Sequence, residues 1–384
     1  MMVLPSRVSA GVPGLRMLFV IFTLLSLASS FPFHPDRLDS QLNSVDAPRH
    51  VKRDVYTFPR VTYGDTCSEA QKTYIEQELN EMIDLLQTTT RNINNLRLHL
   101  EQRAQPQNWG ANYDYISKLL ATWQAYMGNV KLTRQTQSYQ WNQHLYTFTE
   151  AIDKMDHVIG IYNVILNKMY FGGPAVLFHC NDEHYQLTTP PAGEDQTRRW
   201  YLDTRPVGVS EGLRHLHATG RLCHEDDGLQ GWGIQNQING KDEVCICPAA
   251  FARAATSQKL EDIANTQNAL NGKKIDDLKL RAIVGSVLHE LTHLPGVMGT
   301  PTADLRYNIN PGGGRPAMKG AAYRGAGVRA LAAGHPLLTA QNADSLAYLA
   351  IASWYDACNW SMDICGTAVD KLRQGNKFER FDFD

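Results

Sequence analysis

The chain has 384 residues, with 37 basic and 39 acidic side chains, a formal net charge of -2 and seven cysteines. That near-neutral balance supplies no basic footprint for nucleic acid or anionic lipid, so neither kind of partner is expected. No run of apolar residues reaches membrane-spanning length.

Met17 to Ala28 reads MLFVIFTLLSLA, a short apolar run behind Arg7 and Arg16 and ahead of Ser29-Ser30. A basic flank, an apolar middle and a small-residue exit predict a secretory signal peptide over 1–30. Residues 31–53 are polar and end at Lys52-Arg53, which predicts a pro-segment trimmed at the dibasic pair. The remaining residues suffice for one large domain or two modest ones. The division expected is a helical part over 54–172 and a second part over 173–384, with 54–384 as a single domain the other arrangement.

Ser68 with Gln71 forms a capping-box pattern, and Ile75, Leu79, Met82, Ile83, Leu86 and Ile93 follow at helical spacing. Two more amphipathic helices are predicted over Tyr113 to Met127 and Trp141 to Tyr170. Aromatic side chains such as Tyr115, Trp123, Tyr126, Trp141 and Tyr162 are expected in the core. Beyond Gly172-Gly173-Pro174 the pattern predicts short strands at Ala175 to His179, Thr197 to Asp203 and Glu243 to Cys247. His215, His217 and His224 cluster between them, but no acidic residue at ligand spacing completes a second metal site, and a loop or strand surface is the expected setting. Ala255 to Asn271 reads as a polar-faced helix turned by Gly272-Lys273-Lys274 into the next element.

That next element is LKLRAIVGSVLHELTHLPG, from Leu278. Leu280, Ile283, Val284, Val287, Leu288 and Leu291 describe one buried helical stripe, and Pro295-Gly296 stop the helix. His289 and His293, four apart, place two imidazoles one above the other with Glu290 between them in sequence. Two neutral imidazoles can hold Zn²⁺, and a carboxylate one residue along lies close enough to take a proton from a water on the ion. A catalytic zinc needs three protein ligands and an open fourth position.

Downstream, Gly299-Thr300 is followed by Asp304 and Tyr307, and later by Asn342-Ala343-Asp344-Ser345. Here the sequence resembles the aspzincin metalloendopeptidases, the deuterolysin and peptidyl-Lys endopeptidase group of secreted fungal enzymes, whose pattern is HExxH followed by GTxDxxYG and an NADS segment. The resemblance implies an α+β, predominantly α, zincin-like fold whose small sheet offers an edge strand to a peptide substrate. It implies one zinc per chain, held by His289, His293 and Asp304, with Glu290 as general base, Tyr307 as oxyanion stabiliser and Asp344 at the substrate. The specific motifs cover roughly residues 282–350. Two extra residues separate Gly299-Thr300 from Asp304, Asn308 stands where the family has Gly, and Ala347 stands where lysine-specific members carry Glu, so lysine selectivity is not carried over.

Asn308 to Gly334 is rich in Gly, Ala and Arg, a composition that predicts either a loop serving as a lid or a solvated linker. Thr339 is expected to cap a helix running through NADSLAYLAIASWYDA. All seven cysteines, Cys67, Cys180, Cys223, Cys245, Cys247, Cys358 and Cys365, lie after the pro-segment, as disulfides in an exported chain would. Cys358 and Cys365 make the readiest pair, Cys245 and Cys247 are too close to bridge each other, and one thiol is left over. The sequon at Asn359 falls within the Cys358 to Cys365 loop and is expected at the surface.

The expected product is therefore a secreted, monomeric zinc metalloendopeptidase acting on proteins or peptides. The competing expectation is a non-catalytic zinc-binding or host-interacting protein. The Cys67 helix, the AVLFHC segment and the TRRW segment resemble secreted fungal antigens and zincophores of the same superfamily. Retention of Glu290, which a carrier would not need, favours the enzyme.

Overall fold

A computed structural model of the chain describes residues 58, 60–102, 108–130, 148–170, 176–197, 199–210, 212–214, 222–226, 228–236, 240–255, 259–281, 283–309, 318–366, 373–374 and 377–378. The expected signal peptide and pro-segment, and His215 and His217, lie outside the described residues.

After a short strand β1 (Val61–Tyr63), the Ser68 Oγ accepts from the Gln71 N–H while the Gln71 Oε1 accepts from the Ser68 N–H at 2.9 Å. This reciprocal cap starts α1 (Glu69–Glu101), whose Ile75, Leu79, Met82, Ile83, Leu86 and Ile93 are all buried as the periodicity predicts. The next two helices are α2 (Tyr113–Met127) and α3 (Phe148–Tyr170). Trp123, Tyr126 and Tyr162 sit in the core.

Seven short elements follow in chain order: β2 (Val176–His179), β3 (Tyr185–Thr188), β4 (Trp200–Asp203), β5 (Leu213–Arg214), β6 (Gly231–Gln235), β7 (Asp242–Ile246) and α4 (Pro248–Ala255). One sheet has the order β1-β2-β7-β6, parallel except for the antiparallel outer strand β6. Strands β3, β4 and β5 form a separate antiparallel sheet. Then come α5 (Gln267–Leu270), α6 (Ile275–Arg281), α7 (Ile283–Thr292), α8 (Pro295–Met298), a hairpin of β8 (Arg306–Ile309) and β9 (Met318–Ala321), α9 (Arg324–Gly334) and α10 (Ala343–Trp354). The fold is thus mixed α and β, mostly helix with small sheets.

Residues Val55–Asp384 pack as one unit, and one core runs through both the helical part and the part beyond residue 173. Polar side chains stitch the parts together. Thr89 donates to the Ala350 carbonyl at 3.3 Å, Asn92 to the Ser353 carbonyl at 2.8 Å and Tyr162 to the Leu346 carbonyl at 2.8 Å. Three disulfides, Cys67–Cys180, Cys223–Cys247 and Cys358–Cys365, leave Cys245 as a buried free thiol. Such cross-links fit an oxidising compartment. Among the described residues no helix is long and apolar enough to cross a membrane.

Several expectations are corrected. The helix expected over Ala255 to Asn271 is instead α4, a short 3-10 turn at Leu260–Asp262 and the one-turn α5 capped by Thr266. Between the last two, Asn265 donates its side-chain amide to the Trp354 carbonyl and the Asp356 carboxylate, both at 2.9 Å. Thr339 lies in a separate 3-10 segment, Pro336–Gln341, and Asn342 occupies the N-cap of α10. The Gly-rich stretch carries a hairpin and an 11-residue helix. Asn359 is only 8% exposed, and its Oδ1 accepts from the Ser361 N–H, so the sequon is not at the surface.

Candidate metal centre

The site begins with helix α7. Its amides at the amino end have no intrahelical partner, and the buried Glu78 of α1 supplies one, accepting from the Val284 N–H at 2.8 Å. Ile283, Val284, Val287, Leu288 and Leu291 anchor the helix in the core. Against it runs β6. A Cβ at Gly233 would meet the Glu290 carbonyl oxygen at 2.9 Å, so only glycine permits this approach.

His289 and Glu290 lie on the last turn of α7, and His293 follows in the turn that ends it, its N–H donating to the Glu290 carbonyl at 3.0 Å. The loop carrying Asp304 is stitched to both sides of the site. Thr302 bonds Thr292 twice, through its N–H at 2.8 Å and its hydroxyl at 2.7 Å. Ala303 exchanges bonds with Gln341 and Ala343, and the Leu305 N–H donates to the Asn342 Oδ1 at 3.1 Å. These ties hold Asp304 in place.

Three donor atoms converge. The Nε2 atoms of His289 and His293 are 3.2 Å apart, and the Asp304 Oδ1 is 3.3 Å from the first and 3.4 Å from the second. Nitrogen and oxygen ligands about 2.0–2.2 Å from a tetrahedral ion stand roughly 3.3 Å from one another, so this triangle has the size of one tetrahedral face. Its chemistry agrees with its size. The His289 Nδ1 faces the Asp344 carboxylate at 2.8 Å and the His293 Nδ1 faces the Thr302 carbonyl at 3.1 Å, acceptors that require the proton on Nδ1. In the neutral rings both Nε2 atoms then present lone pairs to a buried carboxylate oxygen that has no hydrogen-bond donor. Three acceptors without a donor fit a cation. Glu290, whose Oε1 is 4.0 Å from the His289 Nε2, completes a group able to hold a metal ion.

The local field matches. Burial opposes a charged His289, yet Asp344, Asp304 and Glu290 outweigh it and push the ring up to about 10. His293 is raised in the same way, against its burial, chiefly by Asp304. Burial would raise Asp304, but the two imidazoles hold it well below the usual carboxylate range. Burial lifts Glu290 above its ordinary value despite the pull of both histidines.

Asp344 is 3% exposed, with Oδ1 shared by His289 and Lys279 and Oδ2 accepting from the Arg324 N–H at 3.0 Å. That environment corrects the expected contact with substrate, because Oδ1 is occupied by His289 and Lys279 and Oδ2 by the Arg324 N–H. Of Tyr307 only the backbone is described, on β8 opposite Gly320. Two residues missed by sequence reasoning join the site. Lys279 is buried against Asp344 at 3.0 Å, and the Tyr323 ring stacks near His289 with centroids 6.3 Å apart and planes 28° from parallel. Neither carries a local sequence signal, since the partners are far apart along the chain.

A second group able to hold a metal is Cys223, Cys245 and Cys247, although the Cys223–Cys247 disulfide consumes two of its thiols. His224 stands beside Asp182 at 3.5 Å and is 55% exposed at its side chain. No protein-family model matches the chain, and no curated protein sequence matches it either.

Proposed function

We propose that the chain is a secreted zinc-dependent endopeptidase of the aspzincin kind, with a zincin-like arrangement of sheet and helix. The observation that carries this reading is the triangle of His289 Nε2, His293 Nε2 and Asp304 Oδ1, with edges of 3.2, 3.3 and 3.4 Å, beside the buried Glu290. Zinc bound there would acidify a water and polarise a peptide carbonyl.

The chain's own residues account for the rest. Asp344 and the Thr302 carbonyl fix both rings with Nε2 free to ligate. Glu290, raised above its ordinary value by burial, takes the proton from the attacking water and returns it to the leaving amine. The outer strand β6, which borders Glu290 through Gly231 and Gly233, has one edge unpaired among the described residues, where an extended peptide would pair through main-chain hydrogen bonds.

The test is zinc content of the purified mature chain followed by cleavage of a denatured protein, with and without a chelator. Chelation should abolish cleavage, and Glu290→Gln should retain zinc while losing turnover. Undiminished cleavage by Glu290→Gln defeats the mechanism, whereas zinc uptake with no cleavage by the wild type favours the non-catalytic binder.

A further inference from the structure

Seven cysteines and three disulfides leave one thiol over, and that thiol, Cys245, lies beside one of the bonds. Side chains alternate along a strand, so Cys245 and Cys247 leave the β7 segment on one face and Ile246 on the other. Both cysteines pack with Tyr185, Tyr201 and Trp232 in a small core of their own, whereas Ile246 belongs to the main core. Cys223 approaches that face from a turn closed by the Glu225 N–H on the Leu222 carbonyl at 3.0 Å. The buried Asp182 fixes the approach, its Oδ2 accepting from the Cys223 N–H at 2.8 Å and from the Trp232 Nε1 at 3.0 Å. Trp232 is in turn the β6 residue paired with Cys245. The Cys223 Sγ, bonded to Cys247, therefore also stands 3.6 Å from the Cys245 Sγ, and all three sulfurs lie within 4.8 Å of one another.

We propose that Cys223, Cys245 and Cys247 form a disulfide-exchange site, in which the bond to Cys223 passes between Cys247 and Cys245. Cys245 gives up its proton and its sulfur bonds to the Cys223 Sγ. The Cys223–Cys247 bond breaks, and Cys247 leaves as a thiolate that takes up a proton. One S–S bond and one thiol stand on each side, so no oxidant or reductant is consumed. In one form the cross-link from the turn lands just past the end of β7, at the start of α4. In the other it lands within the strand, opposite Trp232. A Cβ at Gly231 would meet the Cys245 carbonyl oxygen at 2.6 Å and the Glu290 Cγ at 3.6 Å, so only the thickness of β6 separates the exchange from Glu290. It requires nothing to be bound at the metal centre. Burial, with Asp182, Glu290 and Glu243 nearby, pushes the Cys245 thiol up, which keeps thiolate scarce and the exchange slow.

The experiment locates the free thiol in the purified full mature chain. The folded protein is held in mildly alkaline buffer without reductant for minutes to hours, the range of uncatalysed disulfide rearrangement. It is then quenched in acid and labelled with a maleimide in acidic denaturant, where exchange stops. After reduction and a second, different alkylation, tandem mass spectrometry of the peptide holding Cys245-Ile246-Cys247 shows which cysteine carried the maleimide. The maleimide should be found on both Cys245 and Cys247. In Cys247→Ser no thiol should be labelled, because Cys223 then pairs with Cys245 and three bonds consume the six remaining cysteines. Label confined to one of the two positions at every time would overturn the proposal, whether or not Cys247→Ser folds. Labelling of both Cys223 and Cys245 in a folded Cys247→Ser would overturn it as well. Zinc content and cleavage assays test the proposed function separately, and neither result here decides it.

Discussion

Glu78 and Val284 are 206 positions apart in sequence, yet the carboxylate of one accepts the backbone N–H of the other at 2.8 Å. The first long helix thereby caps the helix that carries His289 and Glu290. Burial raises the Glu78 carboxyl, while the nearby Tyr74 and the bond from the Val284 amide favour its ionised form. Glu78→Ala should cost about 1–3 kcal/mol, since it strands a buried amide. Glu78→Gln, which keeps an acceptor, should cost less. Urea midpoints of the two variants would decide it, and equal midpoints would show that the cap is immaterial.

Asp344 joins His289 to Lys279, and Asp344→Asn should act twice. Loss of the charged acceptor on the His289 Nδ1 should weaken zinc binding by roughly 10- to 100-fold. The uncompensated Lys279, 8% exposed, should lower metal-free stability by about 3–5 kcal/mol, the usual cost of breaking a buried pair from one side. Chelator competition and denaturant melts read the two effects separately. Unchanged zinc affinity would remove Asp344 from the site.

Gly233→Ala should push α7 away from β6. The added methyl would sit 2.9 Å from the Glu290 carbonyl oxygen and 3.3 Å from Leu294, and neither backbone can yield without moving the other. We expect about 1–3 kcal/mol of lost stability, with a fall in kcat greater than any change in zinc content. Full activity in Gly233→Ala would mean the strand and helix separate harmlessly.

Lys154 gives a pH signature. Its ammonium is buried among the Met127 and Pro336 carbonyls and the Thr339 hydroxyl, and burial pushes it down to about 7. An unfolded lysine titrates near about 10.4. Between those values the unfolded chain binds the extra proton, so stability rises with pH from about 7 upward. Below 7 both states are charged and the burial cost is fully present. Lys154→Met should flatten that limb in urea midpoints taken from pH 6 to 10, and an unaltered slope would assign it elsewhere.

What could be read from the sequence follows how local each signal is. The Ser68 and Gln71 cap and the bounds Tyr113–Met127 were legible because they depend on neighbours within a turn or two. Strand β6 was not, because glycine is a poor strand former and Gly231 and Gly233 are there for the approach of a helix more than 50 positions away. The β8–β9 hairpin was hidden by composition, since backbone pairing leaves no mark on a Gly-rich segment. His289, Glu290 and His293 stand out by spacing alone, and Asp304 entered only through the family resemblance. The roles of Asp344, Lys279 and Tyr323 depend on contacts between distant segments, which periodicity cannot report.

The Cys67–Cys180 bond, spanning 113 positions, encloses all three long amino-terminal helices within one covalent ring. A protease that nicks any exposed bond inside that ring would release nothing. The clipped molecule would migrate as a single species on a non-reducing gel and separate into fragments only when thiol reductant is added. The chain would in this way survive such a cut with its capped site helix still attached to Glu78.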